Sequence, residues 1–413
     1  MSLISDTLRE HPIIYVTRDI ERALGLPLTT EGYFIIANST PFAKAVVQNN
    51  SNVLLIESNE LLDTHELLTH PQVTTFIEQR VGAKLMVFKN TTQIEKICAA
   101  NNWTLLNPPA ILSQKIEDKI SQVEWLGDLG SFLPEHKIHV LQEVWFDGTP
   151  FILQFNRAHT GNGTILIENK DTLHNLKTQF PDRPVRITEY VAGPMFTVNA
   201  VITSSGTGIG SDPSYQITGL APFTDQPFAT IGNDWSLAKK LLSEKAKTQL
   251  TIMVENIGKK LFLDGWHGLF GLDVVLAKDT DTLYLIEINA RQPASTTFES
   301  QLQILQQKEE KLTTFEAHIT SLLSLPLDYS IAPVQDGAQI IVRNHEGKKW
   351  TQEELSQVMK QLEILGTNVI CYTNETPGSD LLRIQSNHGI MADHKIFNET
   401  GQKIYDCIIN RGA

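Results

Sequence analysis

LFGLDVVLAKDTDTLYLIEINARQPASTT, residues 269–297, decides how this chain is read. Two apolar runs flank a short polar turn at residues 278–281, the pattern of a β-hairpin. Side chains along a strand alternate between its two faces. Glu287, Asn289 and Arg291 therefore share one face, with Leu283 and Leu285 behind them, while Tyr284, Ile286, Ile288 and Ala290 take the other. The first run adds Asp273. A three-residue loop at residues 279–281 pairs Asp273 with Glu287, whereas a slip of one residue sends Asp273 to the opposite face. In the paired register two carboxylates and an amide carbonyl meet on a rigid hairpin, with a guanidinium at its end. Such hard oxygen donors suit magnesium, which takes one or two carboxylates and completes its shell with water and phosphate oxygens. Arg291 is placed to hold a phosphoryl group or a carboxylate by its planar fork. A wet surface hairpin would account for Glu-x-Asn-x-Arg alone; Asp273 and the apolar residues of the same face favour a site.

FGLDVV followed by YLIEINAR resembles the metal-binding end of the ATP-grasp fold. The resemblance implies that Asp273, Glu287 and Asn289 hold magnesium, or manganese, beneath ATP, and that Arg291 steadies an acyl phosphate. It extends over roughly residues 10–330, with the specific motifs confined to residues 115–295.

Upstream, the apolar runs PIIYVT, GYFIIAN, NVLLIES and AKLMVFK alternate with helical stretches, which predicts a parallel sheet. No Gly-x-Gly-x-x-Gly follows any of them, which argues against a Rossmann oxidoreductase. Asp63 and His65 are read as an N-cap and a surface helix residue. The Pro108–Pro109 pair marks a junction, with an amphipathic helix expected from about Ser113. The expected fold class is α/β and α+β. It comprises a Rossmann-like domain preceding the ATP-grasp module (1–112), the two-lobed module itself (113–330), and a small C-terminal α/β extension (331–413). Within the module the small lobe is placed at about 135–200 and the large lobe at about 201–330.

The same resemblance assigns the nucleotide contacts. Lys119 matches the lysine that reaches the phosphates, ahead of Lys115. The loop after TPFILQFN, with Gly161 and Gly163, matches the mobile glycine-rich loop, where the missing Cβ lets backbone N–H groups close over phosphates. Glu189 accepts from the adenine amino group, and the backbone of Tyr190 and Val191 meets the ring edge. Two positions depart from the family pattern. Gln154 stands where a lysine is usual, with Arg157 as a substitute cation, and Met195 stands where a ribose-binding glutamate is common. The glycine- and proline-rich stretch of residues 208–235 is expected to form loops near the substrate, with Asp234 capping the next helix. Arg343 and Arg383, either of which is long enough to reach a substrate carboxylate, are expected to make surface salt bridges instead.

The chain has 413 residues, 20% charged and 41% apolar, and therefore builds globular domains. A net charge of -13 argues against nucleic acid or an anionic membrane as the main partner. Cys98, Cys371 and Cys407 are too far apart for a metal or disulfide framework, which predicts a reducing, cytoplasmic setting. The start MSLISDTLREHP lacks a basic region followed by an apolar run, so no signal peptide is expected. A homodimer is the base-rate expectation. Together these features imply an ATP-dependent carboxylate-amine ligase acting on small molecules, an amino acid among the candidates. A biotin-carboxylase-like carboxylating ligase and a non-catalytic ATP-binding regulator are the alternatives.

Overall fold

The computed structural model of this protein describes residues 4–156, 163–307, 310–327, 330–344, 350–372 and 378–410. Strands β1 (Ile13–Val16), β2 (Tyr33–Asn38), β3 (Val53–Ile56) and β4 (Lys84–Val87) form a parallel sheet in the order β3-β2-β1-β4. All four residues of β1 are buried, as a parallel strand covered on both faces requires. Ile14, Val16 and Ile36 pack under Leu67, Val73 and Ile94 of the flanking helices. Ile13, Tyr15 and Tyr33, on the other face, meet Phe315 and Ile319 of the helix Thr314–Leu322. Asp63 begins the helix Thr64–Thr69, and Glu66 reaches back to its backbone N–H at 2.7 Å, which is the capping role read from the sequence.

A helix starts directly after Pro109 at Ala110–Glu117, earlier than the expected Ser113, because proline is preorganised for a helix entrance. It breaks at Asp118 and resumes as Lys119–Leu126. The antiparallel sheet that follows contains β5 (His136–Val140), β6 (Phe151–Phe155), β7 (Thr164–Ile167) and β8 (Pro184–Glu189), ordered β5-β8-β6-β7. Period-2 alternation sorts its side chains: Leu153, Phe155 and Val185 enter an apolar cluster with Leu173 of the helix Lys170–Gln179, and Ile152, Gln154, Arg186 and Thr188 face a cavity.

The large sheet has nine strands. They are β9 (Met195–Ile202), β10 (Gly208–Gly210), β11 (Ser214–Thr218), β12 (Thr230–Asp234), β13 (Gly268–Ala277), β14 (Thr282–Asn289), β15 (Ala338–Arg343), β16 (Asn368–Cys371) and β17 (Asp380–Ser386). Their order is β14-β13-β9-β11-β12-β15-β17-β16, with β10 beside β9. Residues 208–235, expected as loops, therefore supply three strands. The C-terminal segment joins the same sheet by pairing β15 with β12. That junction needs Gly232, since a Cβ there would lie 2.1 Å from the carbonyl oxygen of Gln339. One apolar core runs beneath the sheet, combining Met253 and Ile257 of the helix Glu244–Leu263 with Val358 and Ile404 of the C-terminal helices. No helix among the described residues is long and apolar enough to cross a membrane.

Candidate active site

The two sheets enclose a cavity of about 470 Å³. On its large-sheet side, β13 and β14 place Asp273 opposite Glu287 and Gly271 opposite Asn289. This is the register expected from the sequence, reached by a different route. Ala277 pairs with Thr282, so the turn takes four residues and by itself would set Asp273 against Ile286. A bulge between the Asp273 and Val274 pairings leaves Ile286 unpaired and restores the match with Glu287. The bulge also corrects the expected faces. Leu283 and Leu285 enter the core with Val274 and Leu276, Leu285 also reaching the cavity wall, while Glu287 and Asn289 line the cavity.

Asp273 Oδ1 accepts from Thr197 Oγ1 at 2.7 Å, and Oδ2 accepts from Asn289 Nδ2 at 3.1 Å. Burial, followed by the negative charge of Glu287, raises the Asp273 carboxyl to about 6. Burial would also raise Glu287, but Lys119 and Arg291 outweigh it and hold this carboxyl below its usual range. Lys119 Nζ lies 3.0 Å from Glu287 Oε1, with Lys119 buried and Lys115 exposed. Asn156 pins this lysine's helix: its carbonyl accepts from Lys119 N at 3.1 Å and its side chain accepts from Ile120 N at 2.9 Å. Arg291 donates to Glu117 and, at 2.7 Å, to Asn289 Oδ1. Burial works against the charged form of Arg291, yet Glu117 and Glu287 together raise its pKa.

The donor set fits a divalent cation. Two facing carboxylates, one raised to about 6 by burial and then by the charge of the other, are what a bound cation would relieve, and the amide oxygen of Asn289 is adjacent. Among the described residues no three His, Cys, Asp or Glu side chains cluster for a metal. A cation held by this set would complete its shell with water and ligand oxygens.

Across the cavity stand Gln154 on β6, Gly163, and Glu189, Tyr190 and Val191 at the end of β8, residues that the ATP-grasp resemblance assigns to the nucleotide. Gly193 follows them, where a Cβ would lie 1.9 Å from the carbonyl oxygen of Leu276, so the connection runs against the hairpin backbone. Met195 also lines the cavity. Arg157 and Gly161 lie outside the described residues.

Several residues in or behind the cavity wall were missed by sequence reasoning. Arg186 faces Gln154 across the β6–β8 ladder and donates to its Oε1 at 2.8 Å. An arginine inside the otherwise apolar run PVRI was the available signal. Glu117 anchors Arg291 and also Lys89, at 2.6 Å. Arg343 and Arg383 are not surface residues, contrary to expectation: they are 8% and 2% exposed and line the cavity, as Arg22 does. Alternation along β15 and β17 puts them on the same sheet face as Gln339 and Ile341, which also line the cavity. Arg383 donates to Tyr372 Oη at 2.9 Å and Gln339 Oε1 at 3.2 Å, and Arg343 donates to the carbonyl of Thr230 at 3.0 Å. Asp234 caps the helix Trp235–Leu241 through Leu237 N at 2.8 Å, as expected.

No protein-family model and no curated protein matches this sequence. Solved structures do match, and they give the chain the ATP-grasp fold, with a parallel N-terminal sheet followed by antiparallel ones. Among them is an N5-carboxyaminoimidazole synthase from Aspergillus clavatus in complex with ADP and 5-aminoimidazole ribonucleotide. It matches with a TM-score of 0.65 and 15% identity over 97% of this chain and 99% of that one. The N5-carboxyaminoimidazole ribonucleotide synthetase of Thermotoga maritima matches with a TM-score of 0.60 and 15% identity over 96% of both chains. Biotin carboxylase from Campylobacter jejuni matches with a TM-score of 0.61 and 15% identity over 91% of this chain and 87% of that one.

Proposed function

We propose that this chain is an ATP-dependent ligase that joins a small-molecule carboxylate to an amine through an acyl phosphate, releasing ADP and phosphate. The observation that carries this reading is the pairing of Asp273 with Glu287 beside Lys119 and Arg291, at one end of a cavity whose other wall contains Glu189–Val191 and Gly163. Glu189, Tyr190 and Val191 receive the adenine, and Lys119 reaches the phosphates. Asp273, Glu287 and Asn289 would hold magnesium, which supplies charge neutralisation at the transferring phosphoryl group.

The substrate carboxylate oxygen attacks the γ-phosphorus as the bond to ADP breaks. The amine nitrogen then attacks the acyl carbon, losing a proton, and phosphate leaves. Both steps need positioning and charge stabilisation more than a protein nucleophile. Arg291, held at two of its nitrogens by Glu117 and Asn289, is oriented before substrate arrives and stabilises the negative charge that develops. Arg22, Arg343 and Arg383 give the cavity its affinity for an anionic group of the substrate.

A carboxylating version of the same chemistry, with bicarbonate as the carboxylate, is the second reading. It is favoured by the end-to-end likeness to the synthetases, which includes the C-terminal strands. Both readings are tested by ADP release from Mg-ATP across a matrix of amino acids, small carboxylic acids and bicarbonate, with Glu287→Gln as the blank. Release that requires one acid and one amine identifies the ligase and its substrates. Tight ATP binding with no release above the blank would replace it with a non-catalytic nucleotide binder.

A further inference from the structure

Arg186 is 1% exposed and lines the cavity, and its hydrogen-bond partners are all neutral. Nε donates to Gln154 Oε1 at 2.8 Å, Nη1 to Gln122 Oε1 at 3.1 Å, and Nη2 to the carbonyl of Ile286 at 3.2 Å. The other cavity-lining arginines differ. Arg291 pairs with Glu117, Arg343 and Arg383 each have Asp380 at 3.6 Å, and Arg22 has Glu21 at 4.0 Å. Among the described residues, no carboxylate approaches Arg186 within ion-pair distance. Buried cations are ordinarily matched by an anion, because the interior solvates charge poorly. Burial accordingly pulls the Arg186 pKa down to about 10, with the charge of Glu287 pulling the other way.

Position completes the picture. Gln154 and Arg186 are direct partners in the β6–β8 ladder. Gln154 cannot supply the positive charge that the resemblance expects at its position, but its amide oxygen holds a guanidinium on the neighbouring strand. Its Nε2 reaches Thr164 Oγ1, at the start of β7, at 3.4 Å, which fixes which face the amide turns to Arg186. The third Arg186 contact is to Ile286, the bulged residue directly before Glu287, so the guanidinium sits at the metal end of the cavity. Three of its five N–H donors are engaged, leaving two for a ligand.

We propose that Arg186 is the small lobe's phosphate-binding cation, displaced by one strand from position 154 and oriented by Gln154, and that it contacts the polyphosphate of the nucleotide. This rests on the ATP reading above. The missing anion of a buried guanidinium is then the nucleotide itself, and Lys119 and Arg186 grip the phosphates from the helix and the sheet respectively.

The test uses the full chain and a non-hydrolysable ATP analogue with magnesium, measured by calorimetry beside thermal melts. Wild type, Arg186→Gln and the swap Gln154→Lys/Arg186→Gln are compared. Arg186→Gln is expected to weaken binding about 10- to 100-fold, the range of a charge-assisted hydrogen bond. The swap returns the charge to the adjacent strand and is expected to recover most of that loss, a recovery that a purely structural Arg186 would not show. In turnover, KM for ATP should rise more than kcat falls. Unchanged affinity in folded Arg186→Gln overturns the proposal while leaving the ATP reading intact; no binding by wild type overturns the ATP reading itself. Should Arg186→Gln fail to fold, the swap decides: a folded swap that binds within about 10-fold of wild type supports the phosphate role, and a folded swap without binding overturns it.

Discussion

Replacing Asp273 by asparagine should make the protein more stable and inactive at the same time. Burial and the Glu287 charge raise the Asp273 carboxyl from 3.8 to about 6. A folded-state pKa above the unfolded one means the folded chain holds its proton more tightly. The stabilising contribution is complete below pH about 4 and is lost as pH rises through about 6. Two pKa units at 1.36 kcal/mol each give roughly 3 kcal/mol lost by pH 8. Asparagine keeps the shape and removes the titration. It offers one acceptor oxygen where the carboxylate accepts separately from Thr197 and Asn289, so one hydrogen bond, worth about 1 kcal/mol, is given up. Asp273→Asn should therefore be near wild-type stability at pH 4.5 and about 2 kcal/mol more stable at pH 8. The assay is urea unfolding at both pH values without divalent cations, read at the first transition because a chain of this length can unfold in stages. Magnesium should then stabilise wild type at pH 8 and the variant much less. A stability difference independent of pH, or equal stabilisation of both proteins by magnesium, would refute the carboxylate-pair account of this site.

Arg291→Ala should lose turnover by about 100-fold or more while ATP affinity changes only a few-fold, measured by ADP release and by calorimetry; equal loss of both would make Arg291 a nucleotide clamp. Glu299 is buried, accepts from Asn199 Nδ2 at 2.6 Å, and is raised to about 7 by burial. Glu299→Gln should match wild type at pH 5 and gain stability relative to it through pH 8, since the wild-type contribution is lost as pH rises through about 7; thermal melts across that range check it. Asp234 caps a helix and also accepts from Ile390 N at 2.7 Å and Met391 N at 2.9 Å. Asp234→Ala orphans buried N–H groups in two segments and should cost roughly 3 kcal/mol or more in urea unfolding, against within about 0.5 kcal/mol for a substitution at exposed Glu124.

Local pattern accounts for much of what was legible in advance. Strand alternation put Glu287 and Asn289 on one side, and the hairpin pattern anticipated the Asp273–Glu287 pair, although a bulge and not the turn length produces it. Apolar runs separated by helices gave the parallel sheet of the first four strands, and side-chain chemistry alone marked Asp63 and Asp234 as caps, which they are. These features depend on residues a few positions apart, whose geometry is fixed by backbone periodicity.

Tertiary structure decided the rest. The bulge at Ile286 sent Leu283 and Leu285 into the core, and a bulge answers to packing against a partner strand that sequence spacing does not display. Arg343 and Arg383 become cavity residues because their strands extend the large sheet from β12, a pairing between segments about a hundred residues apart. Gln154 read by itself as a lost charge; its neighbour Arg186, 32 residues along the chain, restores a cation beside it. Which strands lie side by side is settled by the free energy of the whole packed chain, so a charge can move to an adjacent strand, keep its place in space, and leave no trace in the local motif.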